Sequence, residues 1–169
     1  MDRRKVRAAV GTTVFLVLAP GVVAGLGPWL VTRWRMHGPL ALHVVGALLI
    51  AAGAFVLLHA YARFVVEGLG TPAPVAPPER LVVGGLYRYV RNPIYIAVTA
   101  TLVGQALLFG RLGLLVYAAV FLAVCAAFVQ WYEEPHLARK FGAEYEAYRH
   151  EVPAWWPRLR SRPSRGLTP

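Results

Sequence analysis

The chain has 169 residues, of which 57% are hydrophobic and only 15% charged, with a mean hydropathy of +0.51. Soluble domains carry about a quarter charged residues, so this composition excludes an ordinary soluble domain and points to a membrane protein. The net charge of +10 is spread over segments that flank apolar runs, which sets a nucleic-acid partner aside in favour of a Lys and Arg bias towards the cytoplasmic leaflet. The single cysteine, Cys125, excludes an internal disulfide and a multi-cysteine zinc site, and reads as a packed apolar residue.

Four apolar runs follow in chain order. A helix needs roughly 20 residues to cross a bilayer. Residues 8–30 are uncharged and sit behind Arg3, Arg4, Lys5 and Arg7. The run exceeds the roughly 7–15 residues of a signal-peptide core, which predicts a retained first helix. Residues 39–66 form the second run and contain His43, His59 and Arg63. Residues 94–109 form a shorter third. Gly110, Arg111 and Gly113 then predict a tight turn, and residues 112–131 form the fourth. Runs three and four read as a transmembrane hairpin. The expected fold is therefore all-α and integral to the membrane, with four transmembrane helices and a cytoplasmic amphipathic helical tail.

Basic residues orient it. Fifteen of the 18 Lys and Arg fall before run one, around the 67–93 connection or after run four. Only Arg33, Arg35 and Arg111 fall on the other side. The positive-inside rule then places both termini in the cytoplasm, in the inner membrane of the cell.

The polar segments lie on that side. Residues 71–78 hold four prolines, Pro72, Pro74, Pro77 and Pro78, and predict an extended strap. Leu137, Phe141, Tyr145, Tyr148 and Val152 share one face of a helix, or of two short helices broken at Gly142. That stripe is expected to pack on the membrane surface. Pro135 suits a first helical turn, and Trp155 and Trp156 read as interfacial anchors.

Two motifs stand out: Gly84-Gly-Leu-Tyr-Arg-Tyr-Val-Arg-Asn-Pro-Ile-Tyr95, and Glu133-Glu-Pro-His-Leu-Ala-Arg-Lys-Phe-Gly-Ala-Glu-Tyr-Glu-Ala-Tyr148 continuing to Val152-Pro153. Together they resemble the integral-membrane methyltransferases of the isoprenylcysteine carboxyl methyltransferase and phospholipid methyltransferase group. The resemblance covers about residues 79–157. It implies an S-adenosylmethionine-dependent methyltransferase acting on a lipophilic acceptor at the cytoplasmic membrane face. With the apolar runs and the basic, Pro- and Ser-containing end, the expected division is two N-terminal transmembrane helices (1–66), a methyltransferase core (67–157) and a basic disordered tail (158–169).

The resemblance places Tyr87, Asn92, Pro93, Ile94, Tyr95 and Glu133 at cofactor-contacting positions, with Leu81 and Val82 lining the same pocket. Tyr145 and Tyr148 match the tail aromatics. The reaction requires no covalent catalytic residue; no metal and no nucleic-acid partner is expected, and membrane lipids are the expected surroundings. Three positions depart from the pattern. Asn92 replaces a His, which removes a group that titrates near neutrality. Ala97 replaces a Gly. Val129 stands where the eukaryotic isoprenylcysteine enzymes carry an Arg for the substrate carboxylate.

The residue chemistry can be read independently. Glu133 can accept hydrogen bonds or oppose positive charge. Tyr87 and Tyr95 can stack on adenine or face a cation, or simply sit in an interfacial belt. Pro93 leaves backbone amides free at a helix N-terminus. Glu134 reads as a capping or solvated residue, and Arg91 as either a lipid anchor or a site residue. His43 and His59 are sixteen apart. They keep a second reading alive, a non-catalytic helical scaffold or haem-binding electron carrier, although helix–helix hydrogen bonding explains them more simply.

Overall fold

The computed structural model describes residues 3–63, 66–67 and 79–158. The proline-rich strap at 71–78 and the basic tail from 159 onward lie outside the described residues. The described residues form helices, turns and loops, with no strand among them.

Helix α1 spans Arg3–Gly21 and runs through a π turn, Val22–Leu26, into α2, Gly27–Thr32. Helix α3 is Leu40–Arg63 and α4 is Pro93–Phe109. Helix α5, Leu112–Phe128, continues through a second π turn, Val129–Glu133, into α6, Glu134–Phe141. Helix α7 is Ala143–Glu151. Among the described residues, three stretches are long and apolar enough to cross a membrane: Thr13–Thr32, Leu40–Arg63 and Leu112–Phe141. Helix α4 is also apolar but has 17 residues, about 25 Å against a hydrocarbon core of about 30 Å.

Large apolar side chains face outward on these helices. Leu48, Phe55, Val116 and Val124 are all more than half exposed. The inner contacts use small residues instead. Helices α3 and α4 pair most extensively, along a seam of glycines. A Cβ on Gly46 would lie 2.5 Å from the Gly104 carbonyl, and one on Gly104 would lie 2.7 Å from the Gly46 carbonyl. Seven residues on, a Cβ on Gly53 would collide with the Thr101 hydroxyl. Another seven on, Ala60 is fully buried against Val82 and Tyr87. Apolar burial drives no association between helices in lipid, so such close backbone contact is what holds the pair.

The first π turn has a specific cause. Pro28 has no N–H, so the Ala24 carbonyl loses its ordinary helical partner. Gly27 N–H bonds back to Val22 instead. Gln105 Nε2 donates to the Ala24 carbonyl at 2.6 Å, and Tyr117 Oη to the Val23 carbonyl at 3.0 Å. Two side chains of the hairpin thus satisfy the backbone that the proline frees, which fastens this helix to α4 and α5. Gln105, a polar residue midway along α4, takes that role with its side-chain amide.

The hairpin turn forms as expected. Gly110 ends α4 with φ 62°, a left-handed conformation that favours glycine. A Cβ there would collide with the His37 carbonyl, so the turn packs on the α2–α3 loop.

The tail breaks at Gly142, φ 52°, as its sequence suggests. Its apolar stripe goes elsewhere than expected. Tyr145, Tyr148 and Val152 are buried with Leu81 and Val83, and Leu137 and Phe141 join them. The tail therefore packs on the protein's own 81–83 segment rather than laying that stripe on a membrane surface. Tyr phenols explain the preference: their hydroxyls find protein partners there.

Candidate functional site

One end of the bundle gathers the polar chemistry. The end of α3, the start of α4, the end of α5 and the tail all meet there.

The loop into α4 is shaped by two glycines. Glu67 Oε2 accepts the Gly84 N–H at 3.0 Å, and Arg63 Nη1 donates to Glu67 Oε1 at 2.6 Å. A side chain on Gly84 would collide with that carboxylate. Gly85 has φ +57°, and a Cβ there would lie 2.7 Å from both Arg63 Nε and His59 Nε2. The chain then makes a 3-10 turn, Gly85–Arg88, which carries Tyr87 inward.

The tail is stitched to this loop. Tyr148 Oη donates to the Tyr87 carbonyl at 2.8 Å. Arg91 N–H donates to the Pro153 carbonyl at 2.9 Å. Asn92 gives both its backbone N–H and its side-chain Nδ2 to the Ala154 carbonyl, each at 3.2 Å. Arg158 N–H reaches the Tyr89 carbonyl at 3.1 Å. The Val152-Pro153 motif is thus the return strap that these amides hold. Asn92 is buried and performs this tie with its amide donor.

An ionic cluster braces the same junction. Arg91 Nη1 donates to Glu134 Oε1 at 2.6 Å and to Tyr145 Oη at 3.1 Å. Arg149 Nε lies 3.6 Å from Glu134 Oε2. Glu134 is therefore neither solvated nor a simple cap; it is clamped between two arginines. Arg91 is its partner across 43 residues of sequence.

Glu133 points elsewhere. The second π turn ends on it, and Pro135 follows two residues later, where it deprives Trp131 of a helical donor. Tyr95 Oη donates to Glu133 Oε2 at 3.0 Å. Glu133 Oε1 accepts no hydrogen bond among the described residues. Pro93 is the first residue of α4, and no side chain of the N-cap residue Asn92 caps the helix. The Ile94 and Tyr95 amides thus belong to a first turn without a side-chain cap, and the Tyr95 phenol links that turn to Glu133. Trp155 closes on Tyr95, ring centroids 6.3 Å apart.

Burial holds the Tyr87 phenol well above its ordinary value, and nearby Tyr148, Glu133, Tyr61 and Tyr95 push it further up. Burial likewise raises the phenols of Tyr148 and Tyr145, against the lowering pull of Arg91. All three stay neutral phenols across the physiological range, that of Tyr148 donating to the Tyr87 carbonyl and that of Tyr145 accepting from Arg91.

The sequence places Leu81, Val82, Tyr87, Asn92, Pro93, Ile94, Tyr95 and Glu133 together, and they do share this end of the bundle. Val82 and Tyr87 form one cluster with Ile94 against it, while Leu81 belongs to the tail cluster. Sequence reasoning missed Glu67, Tyr61 and Trp155 as neighbours. Their only signal was position, at the ends of an apolar run and a motif. His43 and His59 do not converge. They lie about 24 Å apart along α3; His43 Nε2 is 3.4 Å from the His37 carbonyl and His59 packs by Phe55 and Gly85. No cluster of three potential metal ligands occurs among the described residues.

A family model described as "Phospholipid methyltransferase" matches residues 41–144. The match runs from the first turn of α3 into α7 and includes both Glu133 and the loop into α4. No curated protein and no solved structure matches the chain.

Proposed function

The chain belongs to the phospholipid methyltransferase family, and from that premise we propose that it moves a methyl group from S-adenosylmethionine to a lipid acceptor at the cytoplasmic membrane face. Family and apolar helices together make it an integral membrane protein. The finer topology belongs to the proposal: four spans with α4 as the short third, both termini cytoplasmic, in the cell's inner membrane. So does the division into residues 1–66, a methyltransferase core at 67–157 and a basic tail.

The observation that carries the reading is the Tyr95–Glu133 pair: Glu133 Oε1 has no partner among the described residues, and Tyr95 belongs to the first turn of α4, which Asn92 does not cap. The donor set fits the cofactor. Glu133 Oε1 would accept from its ammonium or ribose hydroxyls. The Ile94 and Tyr95 amides would meet its carboxylate. Tyr87, Tyr95 and Trp155 offer π faces for an adenine or a cation, and Leu81 and Val82 would line the pocket. Asn92 acts through the tail, which it holds over Tyr95 by way of Ala154. Pro93 sets the helix start.

When bound, S-adenosylmethionine supplies a methyl group activated by a sulfonium. The chain's part is to orient its partners and exclude water, and the tail stitched across the loop suits that task. No covalent nucleophile is needed. Val129 is buried in the π turn, so that position offers no cation to a prenylcysteine carboxylate. Together with the family description, this favours a phospholipid head.

The test is calorimetric titration of S-adenosylhomocysteine into detergent-purified protein. Binding is expected. A folded sample that binds none at millimolar ligand sinks the proposal.

A further inference from the structure

Tyr61 has no role in the cofactor set described above, yet it stands at the same end of the bundle. Its residue is 3% exposed, and its Oη has no hydrogen-bond partner among the described residues. A hydroxyl buried without a partner is disfavoured, more so where water is scarce. Such an atom is explained if something else brings the partner.

Its surroundings say from which side. Ala60, the preceding residue, packs directly on Val82 and Tyr87. On its other flank the ring stacks on Phe15 of α1, centroids 6.3 Å apart and planes 26° apart. Around that stack, Val14 and Leu58 are each more than half exposed on the apolar outer surface. Tyr61 therefore lies between Phe15 of α1 and the end of α3 that packs on Val82 and Tyr87, beneath an outer surface on which Val14 and Leu58 are exposed.

We infer that Tyr61 receives the head of the lipid acceptor, its phenol donating a hydrogen bond to a head-group oxygen, phosphodiester or carboxylate. It is a positioning residue for the incoming lipid. The inference rests on the methyltransferase reading above.

Tyr61→Phe removes only the hydroxyl, so the packing on Phe15 is kept. Three measurements on the full chain in detergent decide the matter. The melting temperature is expected to stay or rise, because no protein hydrogen bond is lost. The Kd of S-adenosylhomocysteine is expected to stay within about twofold of wild type. Methyl transfer is then followed in mixed micelles carrying either phosphatidylethanolamine or S-farnesylcysteine. For the lipid that wild type methylates, KM should rise about tenfold with kcat little changed. The two micelles tell a phosphodiester from a carboxylate source. A lowered melting temperature assigns the hydroxyl to the fold and overturns the inference. Weakened S-adenosylhomocysteine binding assigns it to the cofactor and does the same. An unchanged KM overturns it, as does a wild type that binds S-adenosylhomocysteine but methylates neither lipid. A wild type that binds no S-adenosylhomocysteine removes the underlying methyltransferase reading instead.

Discussion

Tyr95 and Glu133 stand 38 residues apart and meet through a single 3.0 Å hydrogen bond. Each has one job that the other cannot do: the phenol aims the carboxylate, and the carboxylate keeps an oxygen open. Tyr95→Phe and Glu133→Gln should each weaken S-adenosylhomocysteine binding by about tenfold, the worth of roughly one charged hydrogen bond. The double variant should lose less than the two losses combined, since both act through one contact. Calorimetry on the four proteins reads this, and additive losses would separate the two residues. Glu134, the adjacent carboxylate, has a different duty. Its side chain is 16% exposed and that of Arg91 12%, so their ion pair is shielded from water. Glu134→Gln leaves Arg91 with a weaker partner and should cost about 2–4 kcal/mol of stability. The expected result is a lower melting temperature that S-adenosylhomocysteine only partly restores. A variant that melts like wild type would return Glu134 to a surface role.

The elements are held by contacts that leave no room for a methyl group. Gly46, Gly53 and Ala60 recur every seven residues on α3, each against α4 or the loop before it. A helix in lipid gains little from burying Leu, so backbone proximity replaces it. Gly46→Ala would put a Cβ 2.5 Å from one backbone atom and 2.6 Å from another, neither of which can step aside. The pair must separate, and the melting temperature should fall sharply. Gly25→Ala meets nothing within 4 Å and should leave it unchanged. Equal effects would mean that the seam does not hold the bundle. The second device at this scale is proline. Pro28 and Pro135 each follow or close a π turn. At the first, Gln105 and Tyr117 bond the freed carbonyls and lock α2 to the hairpin. At the second, Glu133 ends the turn and faces Tyr95, while Glu134 opens α6 and faces Arg91.

At the scale of the whole molecule, the two ends of the bundle differ in kind. The end with Thr32, His37 and Gly110 is a set of tight turns. The other end carries every element of the candidate site. Single cysteines at Arg35 and Arg139, both exposed and at opposite ends, test the orientation once Cys125 is replaced. An impermeant maleimide should label position 35 from the outside of intact cells and position 139 only from inverted vesicles. Labelling of both from one side would overturn the proposed topology.

Much of this was legible in the chain itself. Apolar runs are set by composition, so the long helices, the hairpin turn at Gly110 and the break at Gly142 could be read directly. The two motifs identified the family and the neighbourhood of Tyr87, Tyr95 and Glu133. Three things could not be read. Amphipathic spacing says that the Leu137–Val152 stripe is buried, but only the fold decides that it is buried on Leu81 and Val83. Two adjacent glutamates look equivalent, and only the fold shows that one meets Tyr95 and the other Arg91. Tyr61 is one aromatic in an apolar run, and only three-dimensional packing leaves its hydroxyl without a partner among the described residues. The sequence by itself determined which segments are apolar and where the backbone must turn, because those depend on local chemistry. The tertiary structure decided which polar atoms are paired and which stay open, because a hydrogen bond is settled by distance across the fold.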